Sequence, residues 1–496
     1  MVNHRACTIQ SLPNEILIYV FSFHRLLSST NNRPPSVAWR WHTLAHVCQR
    51  WRDLIFGSLR HLGARLVIPR NSPKTSLDSW PALPLSIWYD SGGPMSSEQM
   101  ADVVAAFEHS NRIREITLPI TIDHPFWRLT NEYKSFLELE HLALSVVYDY
   151  PFPIVLPREF LGVGGPTGPR RLRNILLNGL YFPSLPQLLL SSQDLVSLHL
   201  GHHTLTCNGF ISPEVLSTSL SATTQLEYLH INCLPVNAES HPELRSIKSS
   251  ALNLVVLPAL THFHFGGFID YMENLVSWIH APHLENLDIN SDHKSVLDIP
   301  QLSQFISRTE RLSSLPFRTC ISFKMGYFFI EHHFKFLPSP QQVSHVYFRR
   351  FHMQDWRVSQ VDHICAQLSP LTSSVKQLKM SAYRLPPRLK RKTNPAPWLE
   401  LLKPYNSVEE VEIRGDAAPC TGIACALEQS TRETAQELLP ALRVLRIRGF
   451  HTWSIRLIVS FVAARQLAGR SIILRRLTQT SQDTDWETSE NDTRQG

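Results

Sequence analysis

Residues 260–289 read LTHFHFGGFIDYMENLVSWIHAPHLENLDI. One short pattern stands at each end of this run, and the period changes between them. LTHFHF and LENLDI both follow apolar-x-x-apolar-x-apolar, so their second and third apolar residues share one side of an extended chain. Between them Met272, Leu275, Val276 and Ile279 recur at helical spacing. The stretch therefore predicts strand, helix, strand. Parallel strands need a crossover of this kind, and such a crossover is right-handed almost without exception.

The hexamer recurs along the chain. IREITL begins at Ile113, LEHLAL at Leu139, LRNILL at Leu172, LVSLHL at Leu195 and LEYLHI at Leu226. LSSLPF (Leu312), VSHVYF (Val343), VKQLKM (Val375), VEEVEI (Val408) and LRVLRI (Leu442) continue it at intervals of about 30 residues. Helical stripes fall between strands, at Met100–Val103–Val104–Phe107, Val361–Ile364–Cys365–Leu368 and Trp398–Leu401–Leu402–Tyr405. Stacked units of this kind give a solenoid with a parallel sheet inside and helices outside. The second and third apolar residues of each hexamer point into the core, and the residues between them face the concave surface. That row reads His199, His230, His264, Asp288, Tyr347, Lys379, Glu412 and Arg446. Mixed in sign and titratable, it fits a protein target better than a nucleic acid, which favours a uniform basic stripe.

The chain has 496 residues, 43% of them hydrophobic, and a formal charge of +6. This composition is globular, and the charge is too small to indicate general nucleic-acid binding. Eight scattered cysteines without a C-x-x-C pair indicate neither a disulfide framework nor a zinc ribbon. The first residues lack the apolar core of a secretory signal. IRLIVSFVAARQLAG carries Arg456 and Arg465 in a short span and reads as an amphipathic helix with Ile455, Ile458, Val459 and Val462 on one face. These features place the chain in the cytoplasm, the nucleus or both, with no membrane association. The last sixteen residues hold five acids and one base and read as a disordered tail.

Ahead of the repeats stand two compact stripes. In SLPNEILIYVF, Pro13 suits the first position of a helix, and Leu12, Ile16, Leu17, Val20 and Phe21 fall on one side. In LAHVCQRWRDLI, Leu44, Val47, Cys48, Trp51, Leu54 and Ile55 do the same. Helices this short must bury their stripes against each other or against a partner.

The repeat region resembles the leucine-rich repeat family in its L-x-x-L-x-L pattern, although the usual Asn or Cys at the ninth position stands only at Cys320. L-P-x-E-I-L-x-x-V-F followed by V-C-x-x-W-R-x-L resembles the F-box, through which substrate receptors dock on the Skp-type adaptor of cullin–RING ubiquitin ligases. The continuation from Leu62, with strands near Leu66–Ile68 and Leu85–Tyr89, is similar to the linker of F-box–repeat families in mushroom-forming fungi. The resemblance implies an α/β chain. A small all-α F-box module (residues 9–60) and a linker with the first strands (61–98) would precede a right-handed leucine-rich-repeat-like solenoid (99–478) and the acidic tail (479–496). It implies that Leu12, Pro13, Ile16, Leu17, Val20, Phe21, Val47, Cys48, Trp51 and Leu54 pack the module or meet the adaptor. The partners implied are that adaptor, a cullin through it, and a protein substrate held by the concave row.

Enzymatic motifs are absent: there is no G-x-S-x-G, H-E-x-x-H or Walker lysine, and no catalytic residue or cofactor is expected. GVGGPTGPRR (Gly162–Arg171) misses both phosphate-binding glycine patterns and reads as a loop. His202–His203, His332–His333 and the alternating His262 and His264 lack a carboxylate or cysteine at ligand spacing, so no metal site is expected. The run Arg384–Lys392, five bases in nine residues, reads as a solvated loop. It also leaves open a scaffold without a ligase role that meets RNA or a membrane there.

Overall fold

The N-terminal helices form where their apolar spacing predicts. In the computed structural model α1 spans Asn14–Ser29 and α2 spans Gln49–Gly57. Pro13 precedes α1, and Glu15 lies in its first turn, where a carboxylate faces the positive end of the helix dipole. The structure describes residues 9–29, 44–58, 66–68, 84–89, 95–120, 136–146, 154–163, 169–201, 211–232, 254–291, 299–313, 318–324, 327–335, 343–350, 372–373, 375–382, 395–415, 417–431, 438–448 and 452–476. The basic run 384–392, the stripe 361–368, His202–His203 and the acidic tail lie outside them. The chain divides into two compact units, Met1–Leu226 and Glu227–Gly496.

In the first unit six strands pair in chain order, all parallel: β1 (Leu66–Ile68), β2 (Leu85–Trp88), β3 (Ile113–Ile120), β4 (His141–Val146), β5 (Asn174–Asn178) and β6 (Ser197–Gly201). Between β2 and β3 runs α3 (Ser97–Phe107), opened by a capping box in which Ser96 and Gln99 satisfy each other's backbone N–H. Its stripe buries Val103, Ala106 and Phe107. Helices α4 (Leu185–Ser191) and α5 (Pro213–Leu220) bury Leu188, Leu189, Leu216 and Leu220 in the same way.

In the second unit β7 (Tyr228–Asn232), β8 (His262–Gly267) and β9 (Asn286–Ser291) are parallel neighbours. The helix read between LTHFHF and LENLDI is α6 (Ile269–Trp278), with Met272, Leu275 and Val276 fully buried. Its Glu273 accepts from the backbone N–H of Gln301 and Leu302 at 2.8 and 2.9 Å. One carboxylate thus satisfies two donors at the start of α7 (Pro300–Arg308), whose own N-cap residue Ile299 has no side chain able to do so.

The expectation of parallel pairing fails beyond this point. LSSLPF opens in a helical turn, Glu310–Ser313, that buries Leu312, and its remaining residues lie outside the described ones. Three strands follow, β10 (Arg318–Lys324), β11 (Tyr327–Lys335) and β12 (Val343–Arg350), and they enter the sheet in reverse. The order is β9, β12, β11, β10, then β13 (Gln377–Ala382). Strand β11 is antiparallel to both neighbours, whereas β12 is parallel to β9 and β10 to β13. Only two residues separate β10 from β11, a hairpin length too short for a crossover.

Parallel pairing then resumes through β14 (Glu410–Gly415), β15 (Val444–Arg448) and β16 (Ile473–Arg476). Trp398, Leu401 and Leu402 of α8 (Ala396–Leu402) are buried. In α9 (Ala417–Ser430) a Cβ on Gly422 would stand 2.3 Å from the Trp398 indole nitrogen, so the close approach requires glycine. In α10 (Thr452–Leu467) the buried face is rotated from the one expected. Ile458, Phe461 and Arg465 turn inward, whereas Val459 is half-exposed. The cause is polar: Arg465 Nη2 donates to the Leu439 and Pro440 carbonyls at 2.9 and 3.3 Å. Among the described residues no helix is long and apolar enough to cross a membrane.

Candidate functional site

Two surfaces carry the residues singled out from the sequence. The first is the helical module. Leu17, Phe21, Ala45, Trp51 and Ile55 form its core, with Leu12, Ile18, Leu44, Cys48 and Leu54 packed at the rim. Phe21 and Trp51 meet edge to face, centroids 4.9 Å apart. The residues expected to pack the module or meet the adaptor therefore divide. Leu17, Phe21 and Trp51 are spent on internal packing, Leu12, Cys48 and Leu54 sit at the rim, and Pro13, Ile16, Val20 and Val47 face outward.

Two residues missed in the sequence complete the outward group. Tyr19 is 76% exposed and Phe23 63% exposed. With Ile16 and Val20 they make an i, i+3, i+4, i+7 stripe, a signal present in the sequence but shadowed by the Leu17–Phe21 stripe beside it. Helix α1 is thus apolar on two faces, and only one is covered by α2. The arginines of the second motif hold the module together: Arg50 Nη2 donates to the Leu12 carbonyl and to Asn14 Oδ1 at 2.6 and 2.7 Å, and Arg52 Nε donates to the Ala45 carbonyl at 3.1 Å. The turn that presents Leu12 and Pro13 is fixed from α2.

The second surface is the sheet face opposite the buried hexamer residues. In the second unit Leu229, Ile231, Phe263, Phe265, Leu287, Ile289, Leu378, Met380, Val411, Ile413, Leu445 and Ile447 are all buried, and the residues between them turn the other way. The register sets His230, His264, Asp288 and Tyr347 side by side across β7, β8, β9 and β12. Lys379, Glu412 and Arg446 form a second contiguous set, extended by Arg475. Tyr347 and Lys379 are not neighbours, because the reversed strands place Glu331 and Cys320 between them. His199 belongs to the first unit, where its register partner is Leu176.

The imidazoles are held by their strand neighbours. His230 stacks on His264 at 4.0 Å, and His264 Nδ1 lies 2.7 Å from Asp288 Oδ2, a contact that holds the ring against the carboxylate. One rung along, Tyr228 stacks on His262 at 4.6 Å. Asn286 Nδ2 lies 2.8 Å from His262 Nε2, and Thr261 Oγ1 lies 2.9 Å from its Nδ1. An amide donor facing Nε2 suits the neutral ring. Burial also lowers the His262 pKa below its ordinary value, against a smaller opposing pull from Glu227. Among the described residues no three His, Cys, Asp or Glu side chains are grouped to hold a metal ion. What this face offers is a wall of stacked rings and hydrogen-bonding groups.

Comparison with known proteins adds the following. No curated protein matches the chain. Among solved structures, the chain is similar to the leucine-rich repeat-containing protein LegL7 from Legionella pneumophila, at 12% identity and a TM-score of 0.27, over 73% of this chain and 88% of that one. The F-box-like family model matches residues 9–61, the span that holds α1, α2 and the apolar stripe between Pro13 and Phe23, so the chain carries an F-box-like domain at its N-terminal end.

Proposed function

We propose that the chain is the substrate-recognition subunit of a cullin–RING ubiquitin ligase of the SCF type. The F-box-like domain docks on a Skp-type adaptor and, through it, a cullin, while the exposed sheet faces hold a protein target. The chain itself performs no chemistry in this reading. One observation carries it: α1 keeps an outward stripe of Ile16, Tyr19, Val20 and Phe23 although the core beneath it is already filled by Leu17, Phe21 and Trp51. An apolar stripe left in water on so small a module is a cost that a partner groove removes. The target would meet His230, His264, Asp288, Tyr347, Lys379, Glu412 and Arg446 in the second unit.

Co-purification with a Skp-type adaptor is the test. Replacing Ile16 and Val20 by Glu changes only outward positions, so the module stays folded and adaptor capture is lost. Adaptor capture at parental affinity by that double variant refutes the reading.

A further inference from the structure

The polar face of β13–β16 concentrates positive charge. Arg414 and Arg448 are register partners across β14 and β15, and Arg446 and Arg475 are partners across β15 and β16. Like charges directly opposite each other on neighbouring strands are destabilising. With Lys379 these make five cations on one side of four strands, against two carboxylates, Glu410 and Glu412. Both carboxylates are already engaged. Arg414 Nε bonds Glu412, and Arg446 Nε lies 2.6 Å from Glu410 Oε1, a charged contact without the alignment of a hydrogen bond. Across β7–β9 the same face holds one carboxylate, Asp288, and no Lys or Arg.

We propose that this face binds an extended acidic segment of a protein target, one carboxylate seated between each arginine pair. A carboxylate there relieves the cross-strand repulsion and meets guanidinium donors from both strands. The two pairs are offset by one strand and two residues, which separates their midpoints by about 8 Å. That is close to the spacing of alternate side chains on one side of an extended peptide, about 7 Å. The segment recognised therefore carries acids at positions i and i+2. This rests on the reading that the exposed sheet face captures a protein target, and it names the chemistry of that target.

Fluorescence anisotropy with the full chain tests it, using a labelled twelve-residue peptide of alternating Glu and Ser and its Lys–Ser counterpart. The Glu peptide binds with an affinity that falls as salt rises, and the Lys peptide does not bind. Replacing Arg448 and Arg475 by Gln weakens binding about tenfold or more. Residues 477–496 carry Asp483, Asp485 and Glu487 at the same alternate spacing, so the measurement is repeated on a chain lacking them. Three results overturn the proposal: a Glu peptide that binds neither chain, equal binding by the Glu and Lys peptides, or undiminished binding by the Gln variant. A twelve-nucleotide oligouridine that displaces the Glu peptide at lower concentration than unlabelled Glu peptide does so as well. Adaptor co-purification is scored in parallel. Its persistence without peptide binding overturns this inference alone, and its loss with peptide binding intact overturns only the ligase reading.

Discussion

Trp51 separates packing from contact within the F-box-like domain. It is 9% exposed and meets Phe21 edge to face, whereas Val47, one helical turn earlier, is 59% exposed. A tryptophan side chain offers about 200 Å². Removing nine-tenths of that from water is worth about 4.5 kcal/mol, or about 3–4 kcal/mol once a compact denatured chain is the reference. The edge contact adds about 1 kcal/mol. Trp51→Ala therefore costs about 4 kcal/mol, a factor of about a thousand in the local opening equilibrium. Helices of sixteen and nine residues are marginal by themselves, so a loss of this size unfolds the pair. Amide hydrogen exchange in the full chain is the assay. Peptides from Asn14–Ser29 and Gln49–Gly57 should lose protection in the variant, while Glu410–Gly415 is unchanged. Val47→Ala should alter protection by less than about 0.5 kcal/mol. Unchanged exchange in α1 on losing Trp51 would show that this core does not hold the module together.

Gly422→Ala gains about 1 kcal/mol of helix propensity, but the new methyl meets the buried Trp398 ring. Overpacking against a rigid ring costs about 1–3 kcal/mol, so net destabilisation in chemical denaturation is expected. Glu273→Ala strips the start of α7 of both its donors' partners and should cost about 1–3 kcal/mol, with Glu273→Gln recovering part of it in the same assay. Tyr89, buried and then further opposed by Asp102, has its hydroxyl pKa pushed up to about 12. The unfolded chain ionises first, near pH 10, so the contribution of this group is intact below pH 10 and lost as pH rises towards 12. Tyr89→Phe should flatten that alkaline arm of the stability profile, and an identical arm in the variant would contradict the assignment.

Much of the sheet was legible because one hexamer both marks a strand and fixes its register. Residues as far apart in sequence as His230 and His264 became neighbours simply by aligning the hexamers. The reversed strands escaped this reading. TCISF and YFFIEHHF lack the x-x gap of the repeat, and a two-residue link between them carries no crossover signal. Strand β16 has only Ile473 and Leu474 as apolar residues, too few to register as a repeat, and with it went Arg475. In the module the spacing marked which residues were apolar but not which of two adjacent stripes would be covered. Leu17 and Ile16 differ by one position and by the whole thickness of the helix wall. The polar contacts, such as Arg50 with Leu12 or Arg465 with Leu439, depend on the reach of long side chains across turns. No period in the sequence encodes that reach.

The reversed block has a consequence for how this sheet can change over evolutionary time. A run of parallel units tolerates loss or duplication of one unit, since each neighbour presents the same strand direction to the next. Strands β10, β11 and β12 break that interchangeability. Their order is inverted, and β11 is antiparallel to both its neighbours. Excising β11 would remove the hairpin partner of β10 and leave β12 and β10 side by side as parallel strands, with a link of about nine residues, shorter than a parallel crossover needs. The three strands must be inherited or discarded together. They mark a fixed point about which copies can be added on either side, so the spacing from the stacked histidines to the arginine pairs is protected from slippage.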